Sequence, residues 1–320
     1  MSKKKIDKTP LKRQQWVERT ALTLGISTDE ARRLLSTPRQ QSLRINPLKG
    51  DLQETLTELR TLGWEGNAQT WCGNGYTNQL PIDQLRDSSA VTDGRVFIQN
   101  AASWLPVLAL DAKPGELILD VCAAPGGKTS HIAATTGNQA HIWANDNSRA
   151  RLAKLQANMK RLGVSIDQYT LFDATALACK LGNRQFDKVL LDAPCSGEGL
   201  MQLDSDKDFT TWSVAHIKRL QQLQKRILSQ AWQLLKPGGI LIYSTCTIAP
   251  EENEAVVDYL LRQQEDVSIM PFELKLPNRV QTVKEWNGRT FSPVICDCMR
   301  LIPSEDIEAF FVCKLKKLAS

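Results

Sequence analysis

The sequence is poor in features that mark several common classes. It has no CxxC pair and only three histidines, His131, His141 and His216. A metal site with paired ligands is therefore not expected. No apolar stretch approaches the roughly 20 residues needed to cross a bilayer, and no apolar run follows the basic first residues. Neither membrane association nor an export signal is expected. The eight cysteines, at 72, 122, 179, 195, 246, 296, 298 and 313, are too sparse for a disulfide scaffold. Reduced thiols and a cytoplasmic location are the default. At 42% apolar and 23% charged residues, general disorder is excluded. A length of 320 residues suits one large or two ordinary domains.

Positive charge is present but uneven. Residues 1–50 hold 12 Lys/Arg against 4 Asp/Glu, while the remainder holds 28 against 31. A basic end on a near-neutral body fits a nucleic-acid or acidic-surface binder, and equally a solvated tail.

Patterning divides the chain. Residues 1–12 read as a disordered basic arm. Residues 13–36 carry helical spacing, with a helix start at Ser27 or Thr28 before Asp29 and Glu30. A short strand is expected at 42–46, then a helix from Asp51 to Gly63. Residues 64–95 are irregular and rich in glycine, which places a boundary near 90–95. From residue 96 the pattern becomes strand and helix in alternation. Apolar runs of strand length occur at 116–121, 140–145, 168–172, 187–192 and 240–244, with a last one at 309–315. Helices are expected over 148–162, capped by Ser148 and Gly163, and over 214–235, stopped by Pro237-Gly238-Gly239. This alternation predicts a mostly parallel, doubly wound α/β domain over 96–320 behind a smaller α+β unit over 13–95. Such sheets bind ligands beyond the carboxyl ends of their strands.

The chemistry sits at those ends. The first strand runs into Asp120-Val121-Cys122-Ala123-Ala124-Pro125-Gly126-Gly127-Lys128-Thr129. The Gly-Lys-Thr ending fits a phosphate-binding P-loop, but the first glycine of that motif would fall on Cys122, so a P-loop is rejected. Asp146 ends the second strand about twenty residues on, where a nucleoside-binding fold places the carboxylate that holds the ribose. Asp173 and Asp192 end the third and fourth. Each alone is more often a cap. Asp120, Asp146, Asp173 and Asp192 at four successive strand ends are expected to converge and frame a nucleoside.

Two cysteines share the rim. Cys195 follows Asp192-Ala193-Pro194, and Cys246 stands in Tyr243-Ser244-Thr245-Cys246-Thr247. A free cysteine is usually a small buried hydrophobe, and that is expected of Cys122, Cys179 and Cys313. A cysteine in a polar turn past a parallel strand is better placed to react. A helix start is expected after each, strongest at Pro250-Glu251-Glu252-Asn253-Glu254, and helix N-termini favour thiolate. Methylation at C5 of a pyrimidine uses such parts. A thiolate adds to C6, which makes C5 a nucleophile toward a sulfonium methyl such as that of S-adenosylmethionine. A carboxyl group beside the ring offsets the developing charge, and Asp192 fits that role. Spacing alone favours Cys195 as the attacking thiol.

The segments Cys122–Lys128, Asp192-Ala-Pro-Cys-Ser-Gly-Glu-Gly199, and Ser244-Thr-Cys-Thr247 with Glu251–Glu254 resemble the RNA cytosine-5 methyltransferases of the NOL/NOP/Sun type, above all the bacterial 16S rRNA enzymes. Gln99-Asn-Ala-Ala-Ser103, Cys298-Met-Arg300 and Phe310-Phe-Val312 add to the likeness, which covers about 96–318. The resemblance implies a Rossmann-like class I methyltransferase with S-adenosylmethionine as cofactor. It implies that Cys122, Ala123, Ala124, Pro125, Gly126, Gly127 and Lys128 hold the methionine end, Asp146 the ribose and Asp173 the adenine amine. Asp192 would lie near the methyl group and the target base. It assigns attack on C6 to Cys246 and release of product to Cys195, and it makes Lys128 a candidate contact to substrate or cofactor carboxylate.

The chain departs from the pattern in two places. Relatives often carry an arginine shortly after Gly199, where this sequence has Leu200–Asp204, and a glycine where it has Ala309. No room is expected after residue 320 for the C-terminal RNA-binding domain of some relatives. The implied partner is RNA, rRNA first and tRNA second, gripped by the basic N-terminal unit and the cleft of a monomer, with the target cytosine in a loop or flipped out. Trp71, Tyr76 and Trp104 have rings able to stack on bases, although core packing is the commoner use. Two other classes remain open: a catalytically silent RNA-binding assembly factor, and a methyltransferase for a non-pyrimidine acceptor.

Overall fold

The computed structural model describes residues 9–319. Most of the expected arm, 1–8, lies outside the described residues. Residues 9–12 are helical: the first helix is Thr9–Leu24. Pro10 favours this earlier start, since proline is pre-organised for a first helical turn. A second helix, Thr28–Leu35, opens on a complete capping box between Ser27 and Glu30.

Residues 13–95 divide between two buried clusters. A small antiparallel sheet is formed by β1 (Gln41–Ile45), β2 (Gly75–Asn78) and β3 (Val96–Ile98), in the order β2-β1-β3. It packs with Leu56, Leu59, Trp64 and Leu85. The first two helices instead pack Trp16, Val17, Ala31 and Leu35 against Met201, Leu203, Phe209, Trp212, Ile217 and Ile248. Lys12 donates to the carbonyls of Phe209 (2.6 Å) and Thr210 (3.2 Å). The helical spacing read at 13–36 was real, but its partners lie some 200 residues downstream, and periodicity carries no partner information.

The central sheet contains β4 (Leu117–Asp120), β5 (His141–Asn145), β6 (Gln168–Thr170), β7 (Phe186–Asp192) and β8 (Leu235–Thr245). β5 pairs β6 and β4, β4 pairs β7, and β7 pairs β8, all in parallel. The order therefore reverses at β4, and a cleft opens there beyond the carboxyl ends. An antiparallel margin follows. It includes β9 (Val267–Met270), β10 (Arg279–Val280), β13 (Met299–Leu301) and β14 (Phe310–Lys317), of which β14 pairs β8. A separate hairpin joins β11 (Glu285–Trp286) to β12 (Arg289–Thr290). Of this margin only β14 was legible as an apolar run. β10 to β12 are two residues long, and the others are too short for alternation to register.

Both faces of the sheet are covered, as the continuous apolar runs require. Leu119, Val189, Leu191, Leu241 and Tyr243 face the helices Val214–Gln233 and Glu254–Gln263. Their neighbours Ile118, Leu190 and Ile242 point the other way, onto Trp104, Leu105 and Ile132. This period of two fixes which strand-end residues face the cleft. The helix Arg149–Leu162 starts at Ser148 and stops at a left-handed Gly163, as expected. No helix among the described residues is long and apolar enough to cross a membrane.

Candidate active site

The loop after β4 turns sharply at Gly126, whose φ is 107°. A Cβ there would come within 2.5 Å of Met159 Cε and 2.8 Å of Leu155 Cδ1, so the loop packs directly on the helix Arg149–Leu162. Asn145, at the end of β5, is fully buried. Its amide donates to the carbonyls of Val121 (3.0 Å) and Phe172 (3.1 Å) and its oxygen accepts from Thr170 (2.8 Å) and Phe172 N (3.1 Å). One side chain thus ties the ends of β4, β5 and β6 together. Sequence reasoning passed over it in favour of its neighbour Asp146.

A cavity of ≈ 280 Å³ lies beyond these ends. Cys122, Ala124, Asp146, Asp173, Asp192, Cys195 and Cys246 all line it. Asp146 is buried; one oxygen accepts from Ser148 N at 3.0 Å and the other pairs with Arg151 at 3.3 Å. Arg151 also donates to the Ala124 carbonyl at 2.7 Å, which fixes the loop to the helix that follows β5. Asp173 is exposed, and hydrogen bonds from Thr175 hold its carboxyl below the usual range. Asp192 accepts from Lys128 Nζ at 2.6 Å and from Ser244 Oγ at 2.9 Å. Lys128 also lies 5.7 Å from the centroid of the Phe310 ring.

Other expected residues fall outside the lining. Ala123 is packed behind the loop, Pro125 is exposed, Gly126 and Gly127 do not line the cavity, and Lys128 reaches it only through its bond to Asp192. Asp120 does not join the other three acids at the rim. It is buried, accepts from Thr129 at 2.7 Å and leaves its other oxygen unpartnered. Burial raises its carboxyl to about 7. The folded state therefore keeps a proton that the unfolded chain has lost, and stability falls as pH rises from about 4 toward 7. Asp120→Asn keeps an acceptor for Thr129 and removes the buried charge. We expect it to raise the melting temperature near pH 8 and to leave it nearly unchanged near pH 4, as read by thermal melts.

The two rim cysteines touch: Cys195 Sγ and Cys246 Sγ are 3.2 Å apart. The hydrogen bond to Cys246, and then burial, push the Cys195 thiol well up. The helix-terminus argument does not apply at Cys195, because the next helix begins only at Asp208. Beyond Cys246, residues 250–253 form turns and the helix begins at Glu254. Nor are the acids of 251–254 a solvated first turn. Glu251 pairs with Arg19 at 2.9 Å, Glu252 accepts from Ser196 N at 2.9 Å, and Glu254 pairs with buried Arg300 at 2.5 Å. Glutamates so spaced look like a helix start, and nothing local reveals their distant partners. Of the other cysteines, Cys313 is buried, Cys122 is half-buried and Cys179 is exposed rather than in the core. Burial, and then the nearby carboxylates, keep Cys122 a protonated thiol.

In the segment after Gly199, Arg39 donates to the Gly199 and Met201 carbonyls. Gly199 N donates to the Cys246 carbonyl at 2.8 Å, and a Cβ on Gly199 would lie 2.1 Å from the Ala309 carbonyl oxygen. Tyr76 and Trp104 are buried and Trp71 is half-buried against Trp104.

The donor set suits an adenosyl sulfonium. Asp146 offers carboxylate oxygens for hydroxyls, Asp173 an acceptor for an amine, and Asp192 a negative neighbour for a cationic sulfur. A family model described as 16S rRNA methyltransferase RsmB/F matches residues 107–316. The chain is 39% identical over 290 residues to a Pyrococcus abyssi protein named tRNA (cytosine(49)-C(5))-methyltransferase, covering 88% of this chain and 89% of that one. It is 35% identical over 313 residues to ribosomal RNA small subunit methyltransferase F of Cronobacter sakazakii. That match covers 95% of this chain, which spans only 62% of the relative's length. The solved structure of a methyltransferase homolog from Pyrococcus horikoshii superposes with a TM-score of 0.77 at 33% identity, covering 94% of this chain and 99% of that one.

Proposed function

The chain belongs to the 16S rRNA methyltransferase RsmB/F family, and on that premise we propose that it methylates C5 of a cytosine in RNA through a covalent adduct between Cys246 and C6 of the base. The observation that carries this reading is the contact of two thiols, 3.2 Å apart, at an acid-lined cavity. An RNA-binding assembly factor has no use for such a pair, and methylation of an amine or a small molecule needs no nucleophilic sulfur.

S-adenosylmethionine, held by Asp146, Asp173 and the 122–128 loop, supplies an electrophilic methyl when bound. The chain's own groups do the rest. The Cys246 sulfur adds to C6 and converts the ring to an enamine, which places electron density on C5. The Asp192 carboxylate accepts from the exocyclic amine, and the Lys128 ammonium paired with it offsets the negative charge that develops on the ring. The orientation of Asp192 is set by Lys128 and Ser244. Once C5 is methylated, its proton must leave. Cys195 takes that proton, the C–H electron pair forms the C5–C6 double bond, and the C6–sulfur bond breaks to return Cys246 as thiolate.

The thiol pair suits this order. At rest, Cys195 is held protonated chiefly by its bond to Cys246. When the Cys246 sulfur becomes a neutral thioether that bond weakens; Cys195 gives its proton to water and, as thiolate, takes the C5 proton.

We read the substrate as rRNA, with tRNA as the alternative, and the protein as a cytoplasmic monomer. Bisulfite sequencing of total RNA from cells with and without the gene tests the reading. One or a few cytosines in rRNA or tRNA should lose protection when the gene is absent. Unchanged protection throughout would refute it.

A further inference from the structure

The turn that carries Cys195 has little of its own to hold it. Beyond β7, Ala193 N donates to the Ser244 carbonyl at 2.9 Å. Pro194 has no N–H to donate, and the next helix begins only at Asp208. Two fully buried side chains supply the fixing instead: Glu252, which follows the Cys246 turn, and Gln224, on the helix Val214–Gln233.

We propose that Glu252 and Gln224 form a clamp that positions the 194–196 turn, and with it the Cys195 sulfur, for release of the methylated base. The proposal rests on the two-thiol reading above. Glu252 Oε2 accepts from Ser196 N at 2.9 Å and from Gln224 Nε2 at 2.8 Å. Gln224 Nε2 also donates to the Pro194 carbonyl at 2.9 Å. The residues on either side of Cys195 are thus gripped through their main chains by one carboxyl and one amide. Glu252 is itself anchored, since Tyr243 of β8 donates to its carbonyl at 2.6 Å. Ser196 Oγ and Thr247 Oγ1 share a hydrogen bond of 2.9 Å, which joins the two cysteine turns directly.

The clamp works with one oxygen. Glu252 Oε1 and Gln224 Oε1 are both buried without a protein partner. A neutral side chain at 252 with one acceptor oxygen therefore keeps every bond that grips the turn. Glu252→Gln is such a side chain and Glu252→Ala is not. A residue that merely fills space would not separate the two substitutions in this way, nor act on one step of the reaction alone.

The test uses the full-length protein, S-adenosylmethionine, and rRNA and tRNA isolated from cells lacking the gene. Protein–RNA adduct is followed on denaturing gels and methyl transfer by a labelled methyl group. For Glu252→Ala, turnover should fall roughly 10- to 100-fold, the scale of a catalytic group displaced by about 1 Å. Adduct should accumulate, and its rate of formation should stay within about threefold of wild type. Glu252→Gln should keep near-normal turnover. Gln224→Leu, which leaves the Glu252–Ser196 bond in place, should accumulate adduct to a smaller extent and covers the case in which Glu252→Ala does not fold. Equal slowing of adduct formation and release would overturn the clamp. So would a folded Glu252→Ala protein that shows no adduct while Cys195→Ala shows it. If Cys195→Ala itself forms none, the two-thiol reading falls and the clamp falls with it.

Discussion

Cys246→Ala should abolish methyl transfer to RNA, by roughly 10⁴-fold or more, the scale seen when a covalent nucleophile is removed. C5 of cytosine is a poor nucleophile, and without sulfur at C6 no enamine forms to activate it. The substitution should leave the rest of the cavity intact. Asp146, Asp173 and Asp192 hold their geometry through Ser148, Thr175, Lys128 and Ser244 rather than through the thiol. Cofactor affinity, measured by calorimetry, should therefore stay near the wild-type value. Rapid methylation by the alanine variant would mean that the acceptor is not a pyrimidine carbon.

Cys195→Ala should behave in the opposite way. Attack by Cys246 and methylation proceed, but no base stands against the C5 proton, and the bond from C6 to sulfur persists. A protein–RNA species that survives denaturant and disappears on nuclease treatment is expected, with turnover falling to a small fraction of wild type. The double variant should form no such species, because the attacking sulfur is gone. An adduct that fails to build up in Cys195→Ala would remove the distinction between the two thiols.

The sheet was legible in the sequence because buried parallel strands read as short apolar runs, and five such runs coincide with β4 to β8. Caps at Ser27, Asp51 and Ser148 were legible because their chemistry is local. Asp146, Asp173, Asp192, Cys195 and Cys246 meet because all follow strands of one sheet, and order along the chain is enough to predict that. What stayed hidden depends on contacts between distant segments. Asp120 follows the same rule of position as the other acids, yet it points at Thr129 rather than into the cavity. Asn145, Gln224 and Glu252 are ordinary polar residues in sequence, and their value comes from what they face. The roles of the two cysteines came from resemblance, since spacing alone favoured the other one. The structure adds that they are in contact.

The two N-terminal helices bury their apolar stripe on the segments that leave Cys195 and Cys246, through Phe209, Trp212 and Ile248. Residues 9–36 are therefore no detachable tether. Grafting residues 9–36 onto an unrelated catalytic body, to redirect it to another RNA, would leave a greasy stripe with nothing to cover it. Deleting them would uncover the reverse side of the segments that follow Cys195 and Cys246. Retargeting by domain exchange has to move those segments and their cover as one piece.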